Sequence, residues 1–78
     1  MNKQRRSTLR AINDRLSTIK DEIETVMDEE QDAYDNLPDG IRDGSQGDQM
    51  ADNVSELQGV IDTIENDVID KIVAIAAC

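Results

Sequence analysis

The apolar residues of this chain fall into two runs that share one repeat. Leu9, Ile12, Leu16, Ile19, Ile23 and Val26 are spaced 3, 4, 3, 4 and 3 residues apart. Met50, Val54, Leu57, Ile61, Ile64 and Val68 are spaced 4, 3, 4, 3 and 4. Steps of three and four return a side chain to the same face of an α-helix, and an a/d repeat of this kind marks a helix that packs on another helix. Between the runs lies Asp35-Asn-Leu-Pro-Asp-Gly-Ile-Arg-Asp-Gly-Ser-Gln-Gly47, where the helix breakers concentrate. Pro38 disfavours helical backbone at Leu37, and Asp39-Gly40 and Asp43-Gly44 are turn dipeptides. The reading is all-α: one domain over 1–78, with a helix over about 8–36, a turn over about 37–47 and a helix over about 48–77. Near-equal lengths and a short turn make this an antiparallel two-helix hairpin, coiled-coil-like.

Within that frame Ser7 is the expected N-cap of the first helix, and Ser45 with Asp48 resembles a capping box for the second. Gly40 is expected to supply a positive φ in the turn. With Leu9 as an a position, Glu30 falls in the apolar seam. Either Glu30 snorkels out or the stripe drifts there to Met27 and Tyr34, or Glu30 is a buried polar group that fixes register or oligomer state. Beyond Val68 the apolar face widens through Ile69, Ile72, Val73, Ile75 and Ala76; Lys71 would also fall in the seam, so the stripe slips by one residue to Ile72. Gly59 lies on the outer side of the second helix, and nothing in the sequence explains it.

A hairpin has little interior. The 78 residues include no Trp, Phe or His, and Tyr34 is the single aromatic. A chain this small gains only about 3–5 kcal/mol from one core. Self-association is the expected remedy, two hairpins closing into a four-helix bundle or a higher oligomer. Its interface would use Leu9, Ile12, Leu16, Ile19, Ile23 and Val26 from the first helix. From the second it would use Val54, Leu57, Ile61, Ile64, Val68, Ile72 and Ile75. Cys78 is the single cysteine, so no intrachain disulfide or Cys-His metal site is expected, which fits a reducing cytosol. The basic start Met-Asn-Lys-Gln-Arg-Arg is not followed by an apolar run, which argues against a secretory signal. Val68 to Ala77 is interrupted by Asp70 and Lys71 and is too short to span a bilayer.

Charge is distributed unevenly. The formal net charge is −10. Residues 1–20 carry Lys3, Arg5, Arg6, Arg10, Arg15 and Lys20 against Asp14, a balance of +5, which leaves −15 for residues 21–78. The first helix thus begins basic and ends acidic, against its own macrodipole. Asp14, Asp21, Asp28 and Asp35 recur every seven residues and form an outward line, about 10.5 Å apart on an ideal helix. One such line is sparse beside duplex DNA, with one charge per about 1.7 Å. Glu22, Glu29 and Asp32, together with a dimer partner, thicken it toward a nucleic-acid-like face. The candidate partner surface is therefore Asp21, Glu22, Asp28, Glu29, Glu30, Asp32 and Asp35, with Tyr34 and Arg42 of the adjoining turn. Solubility is the plain alternative use of such a face, and docking of the basic start of one protomer on the acidic end of another is a second. Direct nucleic-acid binding is not expected, because the Arg cluster is short and lacks interleaved aromatics.

Catalytic chemistry finds no purchase. There is no His, no Ser-His or Cys-His pairing and no phosphate-binding Gly loop. Read as a calcium loop from Asp35, the turn puts Leu37 at position 3 and Gln46 at position 12, which rules that loop out. No enzyme activity and no cofactor are expected. An oligomeric sponge for a nucleotide signal would need converging cations, and Arg5, Arg6 and Arg10, helped by Arg42, are the available supply.

Asp28-Glu-Glu-Gln-Asp-Ala-Tyr-Asp-Asn-Leu-Pro-Asp-Gly-Ile41, followed by Ala51-Asp-Asn-Val-Ser-Glu-Leu57, resembles a pattern in small acidic helical-hairpin proteins of tailed bacteriophages and prophages. The likeness covers roughly residues 28–57. It implies phage origin and residence in the cytoplasm of a bacterial host. It also implies a non-catalytic role: binding and inhibiting a host protein with a basic surface, such as an antiviral defence component. A structural coiled-coil or scaffold component is the other reading.

Overall fold

A computed structural model describes residues 1–77; Cys78 and the reading of its thiol lie outside the described residues. The fold is all-helical, with no strand among the described residues. Helix α1 runs unbroken over Lys3–Asp35. A single turn of helix, α2, spans Asp39–Arg42. The return arm comprises α3 (Ser45–Thr63), a π-helical segment (Ile64–Ile69) and α4 (Asp70–Ala76). Contacts between the two arms run in opposite order. The Asn53 amide donates to Glu30 (2.9 Å), Lys20 approaches Glu65 (3.9 Å), and the Asn13 amide donates to the Ile69 carbonyl (3.4 Å). The result is a rod of 59 × 16 × 11 Å.

The first helix starts earlier than Ser7 allows. Asn2 takes the cap, its side chain accepting from the Arg5 N–H at 2.8 Å. Asn is as effective a cap as Ser, and capping at Asn2 adds a helical turn before Ser7. At the far end Asn36 donates its side-chain amide to the Asp32 carbonyl (2.9 Å), the Leu37 N–H reaches the Tyr34 carbonyl (3.1 Å), and Pro38 leaves in extended backbone. Helix α3 is capped by Gly44, not Ser45, and without a side-chain bond; the Gly44 carbonyl accepts from the Asp48 N–H at 3.0 Å.

The turn is closed by Arg42. Its guanidinium donates to the carbonyls of Asp35 and Leu37, both at 3.0 Å, and so satisfies acceptors that the end of α1 leaves open. It also stands 5.9 Å from the centre of the Tyr34 ring, a cation–π contact. Gly47 packs against the same residue: a Cβ there would lie 1.8 Å from the Arg42 carbonyl oxygen. Glycine is demanded at 47 by close approach. No glycine among the described residues has positive φ, so the expected role of Gly40 is corrected.

The buried interior is small. Among the described residues Ile61 and Ala76, each 2% exposed, are the buried apolar side chains, and the rest of the seam is half-buried. On α1 the inward row is Leu9, Ile12, Leu16, Lys20, Ile23, Met27, Glu30 and Tyr34. Ile19 and Val26 have turned outward, 46% and 54% exposed. The cause is geometric: a straight helix drifts about 20° per heptad against a 3.5-residue repeat, so the inward position passes to the next residue. The return arm corrects itself in one place. In the π-helical segment the Asp70 N–H bonds to the Glu65 carbonyl, five residues back, which inserts one extra residue into the turn. The row passes from Ile61 and Ile64 to Ile69, Ile72 and Ala76; Val68, Lys71 and Ile75 face out.

Candidate interaction surface

Folding divides the charge between the two ends of the rod. Residues 65–77 lie beside residues 1–20 and contribute Glu65, Asp67, Asp70 and Lys71, a balance of −2 against their +5. The end built from residues 1–20 and 65–77 is therefore +3, and the turn half, residues 21–64, carries −13. Within that half Asp21, Glu22, Asp28, Glu29, Asp32 and Asp35 are exposed. Asp35 accepts a bond from the Gln31 side chain of its own helix (3.0 Å). The line of Asp14, Asp21, Asp28 and Asp35 lies wholly on the surface.

The other three proposed contact residues are placed differently. Glu30 is half-buried and accepts from Asn53, so it links the two arms while the stripe also drifts to Met27 and Tyr34. Tyr34 is half-buried beside Arg42, and Arg42 is occupied with the carbonyls of α1 and with Asp39 (3.6 Å). These three build the turn end and present little free surface. Arg5 and Arg10 line separate depressions, one with Thr8 and Leu9, the other with Asn13, Ile72 and Ala76. Within one chain they do not converge. Among the described residues no group of three or more His, Cys, Asp or Glu side chains comes together to hold a metal ion, and no helix is long and apolar enough to cross a membrane.

The residues expected at an oligomer interface divide in two. Leu9, Ile12, Leu16, Ile23, Val54, Leu57, Ile61, Ile64 and Ile72 sit in or beside the chain's own seam. Ile19, Val26, Val68 and Ile75 do not, which corrects their place in the stripe. Ile19 and Val26 belong to an open groove along one flank, where they meet Ile23, Leu57 and Val60. Glu29, Glu30, Asn53 and Glu56 edge this groove, and it continues past Gly59 to Thr63 and Ile64. The π-helical segment and the groove were not anticipated. The signals were present: Lys71 falling out of register for the first, and an unexplained outward Gly59 beside Val60 for the second.

Comparison with protein-family models, with curated proteins and with solved structures finds no match.

Proposed function

We propose that this chain is a non-catalytic interaction protein whose acidic half docks on a basic surface of another protein. The observation that carries the reading is the separation of charge, −13 over residues 21–64 with the α1 carboxylates largely exposed. A helix arranged for its own stability would place acids at its start and bases at its end; α1 does the opposite. The phage-like motif at 28–57 extends the reading to a bacterial host protein, such as a defence component, inhibited through a surface that imitates nucleic acid. Self-association into a four-helix bundle belongs to the same proposal, because the paired arms alone bury so few apolar side chains.

The test is capture of partners from bacterial lysate on immobilised protein, with and without Asp21→Lys, Asp28→Lys and Asp35→Lys together. A single host protein should be retained at about 0.1 M salt and released near 1 M, where the screening length falls from about 10 Å to about 3 Å. The triple variant should lose it while far-UV circular dichroism is unchanged. Equal capture by the triple variant would sink the electrostatic reading. The elongated 59 × 16 × 11 Å form favours one alternative, a scaffold component, which predicts assembly with no host partner.

A further inference from the structure

Among the described residues, the flank groove is an apolar feature that the chain leaves uncovered. Ile19, Ile23 and Val26 of α1 face Leu57 and Val60 of α3 across it, and Val60 is 45% exposed. Gly59 adjoins them, and a Cβ added there would meet nothing within 4 Å. A glycine in mid-helix weakens the helix, and here the chain's own packing does not require it. What a bare backbone at this point offers is close approach for another helix.

We infer that a second copy of this chain covers the groove, lying antiparallel to the first, with Gly59 at the helix–helix contact. The inference rests on the self-association part of the proposed function and specifies its face and direction. Charge selects a second copy, and area leaves room for one. Antiparallel copies set the +3 end of each beside the −13 end of the other, whereas parallel copies would align the two −13 ends. Along α1, Arg15, Glu22 and Glu29 are one heptad apart, and Glu22 and Glu29 edge the groove. Copies related by a two-fold axis near Glu22 bring Arg15 of one chain opposite Glu29 of the other on both sides of the axis, two opposite-charge pairs against the one Glu22–Glu22 approach at the axis itself. The chain exposes 5450 Å², whereas a compact monomer of 8.7 kDa exposes about 4,700 Å². The excess, roughly 700 Å², is close to the about 800 Å² that each partner of a standard interface buries.

Sedimentation equilibrium of the whole chain gives the decisive mass. Wild type should weigh twice 8.7 kDa, and Gly59→Arg and Val60→Lys should each halve that mass while keeping helical circular dichroism. Arg is a good helix former and has open space at 59 in the single chain, so loss of folding is not the expected cause. An oligomer that Gly59→Arg leaves intact would place the contact on another face and overturn the inference, although self-association would stand. A monomeric wild type would overturn both, and leaves partner capture to be judged on its own result. Direction is read by cross-linking in a Cys78→Ser background. Arg15→Cys mixed with Glu29→Cys should cross-link, and neither should do so alone, since each lies about 10 Å along the axis from Glu22. Self-cross-linking of either would show parallel copies and overturn the inference.

Discussion

Two glycines of the return arm sit in opposite circumstances. At Gly47 a Cβ would run into the backbone of Arg42; at Gly59 it would point into open space. The turn around Gly47 is specified by bonds within the chain: Arg42 on the carbonyls of Asp35 and Leu37, Asn36 on Asp32, Tyr34 against the guanidinium. The flank around Gly59 has apolar side chains that nothing in the chain covers. Gly59 costs helix stability and serves no contact within the chain, which is why we infer a contact with a second copy there. The turn end is closed by its own bonds, and the flank is left open.

The same substitution should separate the two regions. Gly47→Ala forces Arg42 away from α3 and should destabilise by about 1–3 kcal/mol, overpacking a site with no slack. That is a large share of the about 3–5 kcal/mol a chain this size commands. Thermal unfolding followed by circular dichroism measures it, and an unchanged midpoint would show that the turn is looser than described. Next in size is Arg42→Ala, which opens the carbonyls of Asp35 and Leu37. Its side chain is one-third exposed, so the loss should be about 1–2 kcal/mol, with a change in the emission of Tyr34, the single aromatic. Arg42→Lys should recover part of the stability and little of the Tyr34 signal, because Lys lacks the planar fork. The smallest effect has the opposite sign. Gly59→Ala in a Val60→Lys background should stabilise the chain by up to about 1 kcal/mol, the helix-propensity difference. Destabilisation there would mean that Gly59 answers to an internal constraint after all.

How far the sequence reaches is seen in particular residues. The helical class was legible because Leu9 to Val26 and Met50 to Val68 repeat at helical spacing, and Pro38 with its neighbouring glycines marks where the chain reverses. The inward face was legible only near Leu9. A 3.5-residue rule holds Ile19 and Val26 in the seam, but in α1 the inward position has moved on to Lys20 and Met27. The slip at Lys71 was visible as a break in pattern; that it is taken up as a π turn beginning at Ile64, which turns Val68 out and Ile69 in, depends on contacts such as Asn13 to the Ile69 carbonyl. For the candidate surface, the exposed aspartates were readable from their heptad line. Tyr34 and Arg42 were read as partner contacts because they belong to the turn that adjoins the acidic face. Their structural use depends on where the α1 carbonyls point, which the sequence does not encode locally.

The claim that the flank is completed by a second copy has a direct measurement in the concentration dependence of unfolding. If folding and pairing are linked, mass action raises the midpoint as the chain is concentrated. The account predicts that wild type melts at a higher temperature at hundreds of micromolar than at a few micromolar. Gly59→Arg should melt at one temperature throughout. A wild-type midpoint that does not move over that range would contradict it, and would make the chain a lone rod with its apolar flank exposed to solvent.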